Sequence, residues 1–444
     1  MTRYWCERAL VGDEVLASVL VETAGGRITA VRAAQDRPPD AEQLAGLTLP
    51  GLANAHSHAF HRVLRGRTQA ERGTFWSWRE RMYAVAQRLD PDTYHALARS
   101  VYGEMALAGI TCVGEFHYLH HGPGGQPYRD PNAMGEALLA AAAEAGIRIT
   151  LLDACYLTGD VDQQLGGAQL RFGDGTVERW GMRVSALRPG PHARVGAAIH
   201  SVRAVPPPAV DGVLAWASPL DAPVHLHLSE QPAENEACQQ RYGLTPTRLL
   251  AERGALGPRT TAVHATHLTA SDIAAVGGSG TTVCLCPTTE RDLADGIGPV
   301  PELVAAGAPL ALGTDSHAVI DMFEEARAVE LDQRLRSGRR GHLDGPALLR
   351  AATAAGHASL GWPEAGVLAV GAPADLVTVR LDSPRTAGID PDQLVFAAAA
   401  ADVVRVIVDG RDVVVDGRHQ RLGDVGAALA RDIAGLMTEP AGAR

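Results

Sequence analysis

The chain has 444 residues, of which 46% are hydrophobic and 20% charged, with a formal net charge of -11. This is ordinary globular composition, suited to one large domain with a smaller appendage or to two domains. An acidic chain without a basic stripe argues against a nucleic-acid partner; the opening Met1-Thr2-Arg3-Tyr4-Trp5-Cys6-Glu7 lacks the apolar core of a signal peptide, and no run approaches the ~20 apolar residues of a membrane helix, so a soluble cytoplasmic protein is expected.

Residues 1 to 49 read as short strands, Glu14 to Val21 and Arg27 to Val31 around a turn at Gly25-Gly26. The C-terminal part has the same texture: strand, turn, strand from Gly366 to Val379, then a hairpin of Val403 to Val408 and Asp412 to Val415 around Asp409-Gly410. The expectation is one small β domain from both chain ends, 1–49 with 366–425, followed by a C-terminal helix or tail at 426–444. Between them, residues 50–365 alternate short apolar runs with Ala-rich helical segments such as Ala133 to Ala145 and Thr245 to Arg253. Strand candidates end near His58, Glu115, Asp153, His200, His227, His264, Cys286 and Asp315. Eight β-α units in about 300 residues predict an α/β fold, a (β/α)8 TIM-like barrel carrying a small β-sandwich domain. The short 286–315 gap holds one helix, Pro299 to Ala306.

Polar residues gather where the barrel strands end, the face that carries the active site in such folds. Leu49 to His58 ends in His56-Ser57-His58, and residues two apart on a strand share a face, so both imidazoles aim at one point. Further apolar runs end in His225-Leu226-His227-Leu228-Ser229-Glu230, in His264-Ala265-Thr266-His267 and in Thr314-Asp315-Ser316-His317. Four such endings predict a mononuclear metal site. Three imidazoles and a carboxylate leave an open position for water on Zn²⁺, and the metal brings that water's pKa toward ~7. A second carboxylate beside it can carry protons, and a further histidine can steady developing charge. Cys284 and Cys286 read as small core residues, and six cysteines in a chain this long make no disulfide framework. All forty basic residues are arginine, which excludes lysine Schiff-base chemistry and a lysine-derived carbamate bridging two metals.

These motifs resemble the amidohydrolase superfamily, mononuclear deaminase branch. The resemblance implies His56, His58, His227 and Asp315 as metal ligands, Asp315 also as acceptor of the attacking water's proton, Glu230 as proton carrier and His264 as stabiliser beside the metal. It implies one Zn²⁺ per subunit, with Fe²⁺ or Mn²⁺ as alternatives, and a homodimer. His225 reads as a packed strand residue, His267 and His317 as loop or supporting residues, and His95, His192, His342, His357 and His419 as unrelated to the site.

Within the superfamily, Asn54 to Arg62, Phe75-Trp76-Ser77-Trp78-Arg79-Glu80-Arg81-Met82-Tyr83, Gly114 to His121, Ile199 to Val205 and Cys286-Pro287-Thr288-Thr289-Glu290 are together similar to the N-formimidoyl-L-glutamate deiminase family. That likeness implies hydrolysis of a formimino amino acid, a dicarboxylate with a cationic formamidine. Arginine suits planar carboxylates through paired hydrogen bonds, which makes Arg79 and Arg203 candidates for the glutamate end, with Tyr118 and His200 as further donors and Arg62 and Arg81 less central. His61 stands where relatives often carry Gln, and it can bear a charge that Gln cannot. Two other readings stay open: a related deaminase of guanine, adenosine-like or triazine substrates, and a non-catalytic barrel used for assembly or binding.

Overall fold

Eight short parallel strands, each an almost wholly buried apolar run, wrap into a barrel: Leu52–Ser57, Ile110–His117, Arg148–Cys155, Ala193–Ile199, Val224–Leu228, Thr260–His264, Thr282–Leu285 and Leu310–Leu312. They pair in sequence order, and a parallel bridge between Ser57 and Asp315 brings the first and last together. Residues buried on both faces, with helices between successive strands, are what a parallel sheet requires. The computed structural model describes residues 1–69 and 72–437.

The crossover helices follow from local sequence. Pro91–Leu107 starts behind Asp90, whose side chain accepts the Thr93 amide, with proline in the first turn. The expected Ala133–Ala145 helix forms with those limits, and Thr245 to Arg253 holds a helix at Pro246–Glu252 capped by the Thr245 side chain. The gap between the seventh and eighth strands holds two helices where one was expected: Val300–Ala305 and, immediately after the seventh strand, Pro287–Asp292. Both are six residues long, too short for hydrophobic periodicity to decide, and the second opens on Pro-Thr-Thr directly after a strand, where a turn is the plainer reading.

Both chain ends build a second eight-stranded sheet. Its order runs Arg418–His419, Arg411–Val415, Val403–Val408, Leu376–Val379, Glu42–Pro50, Thr2–Val11, Glu14–Ala24, Arg27–Ala33. Leu376–Val379 pairs antiparallel with Leu47 to Pro50, so the two ends interlock at mid-sheet. The Val403–Val408 and Arg411–Val415 hairpin turns at Asp409 and Gly410, both at positive φ as a two-residue hairpin turn demands. The strand expected just after Gly366 does not form. Its backbone bonds the sheet at Arg27 and Ile28, through a bridge at Pro373 and bonds to Gly371 and Ala372, while Leu368, Ala372 and Ala374 pack into the sheet's core and Val370 is 69% exposed. The terminal helix spans Val425–Met437; residues 438–444 of the expected tail lie outside the described residues.

This sheet is fastened to the barrel by charge as well as packing. Arg148, buried at the start of the third barrel strand, donates to both Asp375 oxygens at 3.0 Å and to Asp409. Asp375 in turn accepts through its carbonyl from Gly51, the hinge between Pro50 and the first barrel strand. Removing one member of a buried ion pair leaves the other uncompensated, at about 3–5 kcal/mol. Arg148→Met is therefore expected to lower the denaturant midpoint of unfolding by an amount equivalent to about 3 kcal/mol or more; an unchanged midpoint contradicts this fastening.

Candidate active site

The first barrel strand delivers His56 at its end and His58 just beyond. Both Nε2 atoms lie 3.3 Å from the same Asp315 oxygen. From the fifth strand, His227 Nε2 comes within 3.1 Å of His56 Nε2. The outer ring nitrogens explain the orientation. His58 Nδ1 lies 2.8 Å from the Phe116 carbonyl and His227 Nδ1 2.9 Å from the His200 carbonyl. A carbonyl only accepts, so each Nδ1 carries the proton and each Nε2 turns its lone pair inward. Burial disfavours the imidazolium, holding His58 and His227 below the ordinary histidine value and pushing His56 down to about 3. Neutral imidazole is the ligating form. Burial works against ionised Asp315, but its bond to His56 and the neighbouring imidazoles hold its carboxyl well below the usual range. His58 and His227 thus present inward lone pairs, and with His56 and Asp315 they make three imidazoles and one carboxylate, the residue types of an open tetrahedral zinc-type site; these residues fit a divalent metal.

Asp315 follows an eighth strand of three residues, and the backbone around it is strained. Asp315 sits at φ 42° and His317 at φ 58°, left-handed values that persist only when surroundings impose them. Asn54 imposes them from the first strand, accepting from the Thr314 amide at 2.9 Å and donating to its hydroxyl at 2.7 Å. His317 bonds Thr314 and Ser57, and Ser57 donates to Glu115 at 2.6 Å. Glu115, pushed up to about 8 by burial, also takes the Ala59 amide, fixing the turn after His58. Gly313 lets the two strands approach: a Cβ there meets His56 backbone nitrogen at 2.9 Å and oxygen at 2.8 Å.

Glu230 and His264 stand beside this cluster. Glu230 Oε1 is 3.7 Å from His264 Nε2, and the His264 ring stacks on His227 at 5.7 Å. Burial pushes the Glu230 carboxyl up to about 7. Burial opposes charge on His264, but Glu230, Glu290 and Asp315 outweigh it and raise its value well above the ordinary one. Both groups line a pocket of ≈ 540 Å³ together with His58, His227 and Asp315.

The candidate substrate-binding residues line the same pocket: His61, Arg79, Tyr118, His200 and Arg203. Arg79 lies 4.5 Å over the Trp76 ring and 5.5 Å over Tyr83, its Nε is buried without a hydrogen-bond partner, and it has no carboxylate partner among the described residues. Arg203 differs from the free cation expected of it. Its Nε is 3.1 Å from buried Glu234 and its Nη2 3.9 Å from Glu230, so it is already charge-balanced. His61 Nε2 is 2.8 Å from the Tyr118 hydroxyl, making the two one hydrogen-bonded unit. Arg62 instead pairs with Glu104. His225 meets the Ser359 carbonyl, and His267 the Asp295 carbonyl. Tyr156, Phe172 and Leu293 also line the pocket, beside Phe75, Trp78, Met82 and Tyr83; those three come from loops, where no periodicity marks them. A second buried group, His117, His120 and Asp153, has ligand atoms within 4.8 Å of one another. There Arg183 holds both Asp153 oxygens, at 2.8 and 2.9 Å, and Trp180 donates to one of them, so the carboxylate is already balanced.

Gly313→Ala forces His56 to move and is expected to strip most of the bound metal from a protein that remains folded by circular dichroism, as measured by elemental analysis after gel filtration. Full metal retention contradicts this placement of His56.

The amidohydrolase family matches residues 47–413. Formimidoylglutamate deiminase of Pseudomonas aeruginosa is 38% identical over 437 residues, covering 94% of this chain and 96% of that protein. The 8-oxoguanine deaminase of the same organism is 32% identical, covering 97% and 98%. The crystal structure of an adenosine deaminase from Xanthomonas campestris with bound zinc superimposes with a TM-score of 0.84 at 25% identity, covering 98% of this chain and 97% of that one. With a barrel, a strand-end cluster of histidines and aspartate, and a family match over most of its length, the chain belongs to the amidohydrolase family.

Proposed function

We propose that the protein hydrolyses N-formimidoyl-L-glutamate to N-formyl-L-glutamate and ammonia, as a zinc-dependent deiminase of histidine degradation. The observation that carries this reading is Arg79, a pocket cation without a carboxylate partner among the described residues, facing the same chamber as the histidine-aspartate cluster. A dicarboxylate substrate supplies that partner; a neutral purine does not. The 38% identity to a formimidoylglutamate deiminase supports the same assignment.

In this reading His56, His58, His227 and Asp315 hold the metal. When bound, the metal supplies Lewis acidity that makes a water nucleophilic at neutral pH. Asp315 takes a proton from the attacking water as its oxygen bonds to the formimino carbon. Glu230, protonated, delivers its proton to the terminal nitrogen, which leaves as ammonia when its C–N bond breaks; the new hydroxyl gives its remaining proton back to Glu230 as the formyl C=O forms, and Asp315 releases its proton to the departing ammonia. His264 donates a hydrogen bond to the charge that develops at the carbon's substituents. At the far end Arg79 pairs with a carboxylate of the substrate. Tyr118, set by His61, and His200 donate to the same end, while Arg203 contributes the edge of its guanidinium that Glu234 leaves free.

Ammonia release from N-formimidoyl-L-glutamate is expected to exceed that from guanine or 8-oxoguanine by at least about 100-fold in kcat/KM, since a site built for polar groups rejects analogues lacking them strongly. A preference for either purine replaces this reading with that of a purine deaminase. Arg79→Met is expected to raise KM about 30-fold or more, the effect of deleting one partner of a buried charge pair at 2 kcal/mol or above, with a much smaller change in kcat. A fall in kcat at unchanged KM removes Arg79 from substrate binding.

A further inference from the structure

We propose that Glu290 is a positioning residue that fixes the ring of His264 beside the metal cluster, a role that rests on the deaminase reading above. Four histidines meet at the centre, and the partners of their outer nitrogens differ. His58 and His227 each give the outer nitrogen to a backbone carbonyl, and His56 Nδ1 is buried without a partner. His264 alone among them turns its outer nitrogen to a carboxylate: its Nδ1 is 3.4 Å from Glu290 Oε1. On the other side its Nε2 is 3.7 Å from Glu230. The outer partner of such a histidine, carbonyl or carboxylate, takes its N–H and fixes the direction of the ring; for His264 that partner is a side chain on a separate short helix.

The segment that carries Glu290 is built to keep it still. The Glu290 carboxylate also accepts from the Cys286 amide at 2.9 Å, closing the short helix Pro287–Asp292 onto itself. The preceding residues lock that helix from two directions. Thr288 gives its amide and hydroxyl to buried Glu325, and the Thr289 hydroxyl takes the amide of Ser316, next to Asp315. The same segment reaches Gln231, beside Glu230, through Asp295. One short stretch after the seventh strand thus touches the loops of the fifth, sixth and eighth strands. His264 itself sits at φ 69°, a backbone state that persists only where the surroundings impose it.

The test is Glu290→Gln, which keeps shape and an acceptor oxygen but removes the charge. Expected is a fall in kcat of about 10- to 100-fold, the usual cost of deleting an outer partner of a central histidine, with KM within about twofold and metal content equal to wild type. A kcat within twofold of wild type overturns the proposal, and so does loss of metal in step with activity, because that makes the residue structural. Kinetics are run on whichever substrate the wild type turns over, so failure on N-formimidoyl-L-glutamate alone removes the substrate assignment and leaves this comparison standing. A crystal structure of Glu290→Ala supplies a readout independent of any substrate. The His264 ring is expected to leave its place opposite Glu230, and an unmoved ring overturns the proposal.

Discussion

Two backbone carbonyls, those of Phe116 and His200, decide what the centre of this barrel can hold. Each takes the outer proton of a buried histidine, so that His58 turns its inner lone pair to an oxygen of Asp315 and His227 turns its own toward His56. Everything nearby serves that convergence. The second barrel strand supplies one carbonyl and the end of the fourth the other. The first strand cannot drift from the eighth, because Asn54 grips Thr314 and Gly313 leaves no room for a side chain. The strained backbone at Asp315 is tolerated because barrel closure over-determines it. The second sheet enters the same account at a distance, since its strand Glu42–Pro50 runs directly into the strand that carries His56.

Around this centre the pocket divides its charge. One end gathers Glu230, Glu290 and Asp315 around His264, in a dry environment that strengthens every electrostatic interaction. The other end offers Arg79 under aromatic rings and the balanced Arg203. A molecule with a cationic formamidine at one end and carboxylates at the other matches this gradient in one orientation only. Orientation of this kind supplies catalysis by itself, because it places the reacting carbon before any chemistry begins.

The barrel was legible because each strand is a short apolar run with a polar terminus, and period-two geometry put His56 and His58 on one point. The strand ends at His227, His264 and Asp315 were visible for the same reason. The supporting groups were not. Glu115 and Asn54 sit inside apolar runs where a polar residue reads as an interruption, and their value lies in partners tens or hundreds of residues away. Pro287–Asp292 is too short to declare itself as a helix, which hid Glu290. The pairing of Arg203 with Glu234 was equally invisible, since no local pattern links a loop residue to one on a helix some thirty positions later. The strand expected after Gly366 failed because alternating apolar residues describe a strand only where a neighbour offers a full ladder of bonds.

The claim on which the account stands is that this lone-pair cluster binds one catalytic metal for a formimino substrate. Titrating Zn²⁺ into chelator-treated protein while following ammonia release from N-formimidoyl-L-glutamate tests it most directly. The account predicts no turnover without metal, a linear rise to one equivalent per chain and a plateau beyond. Full turnover in the metal-free protein, or silence toward this substrate at one bound equivalent, contradicts it.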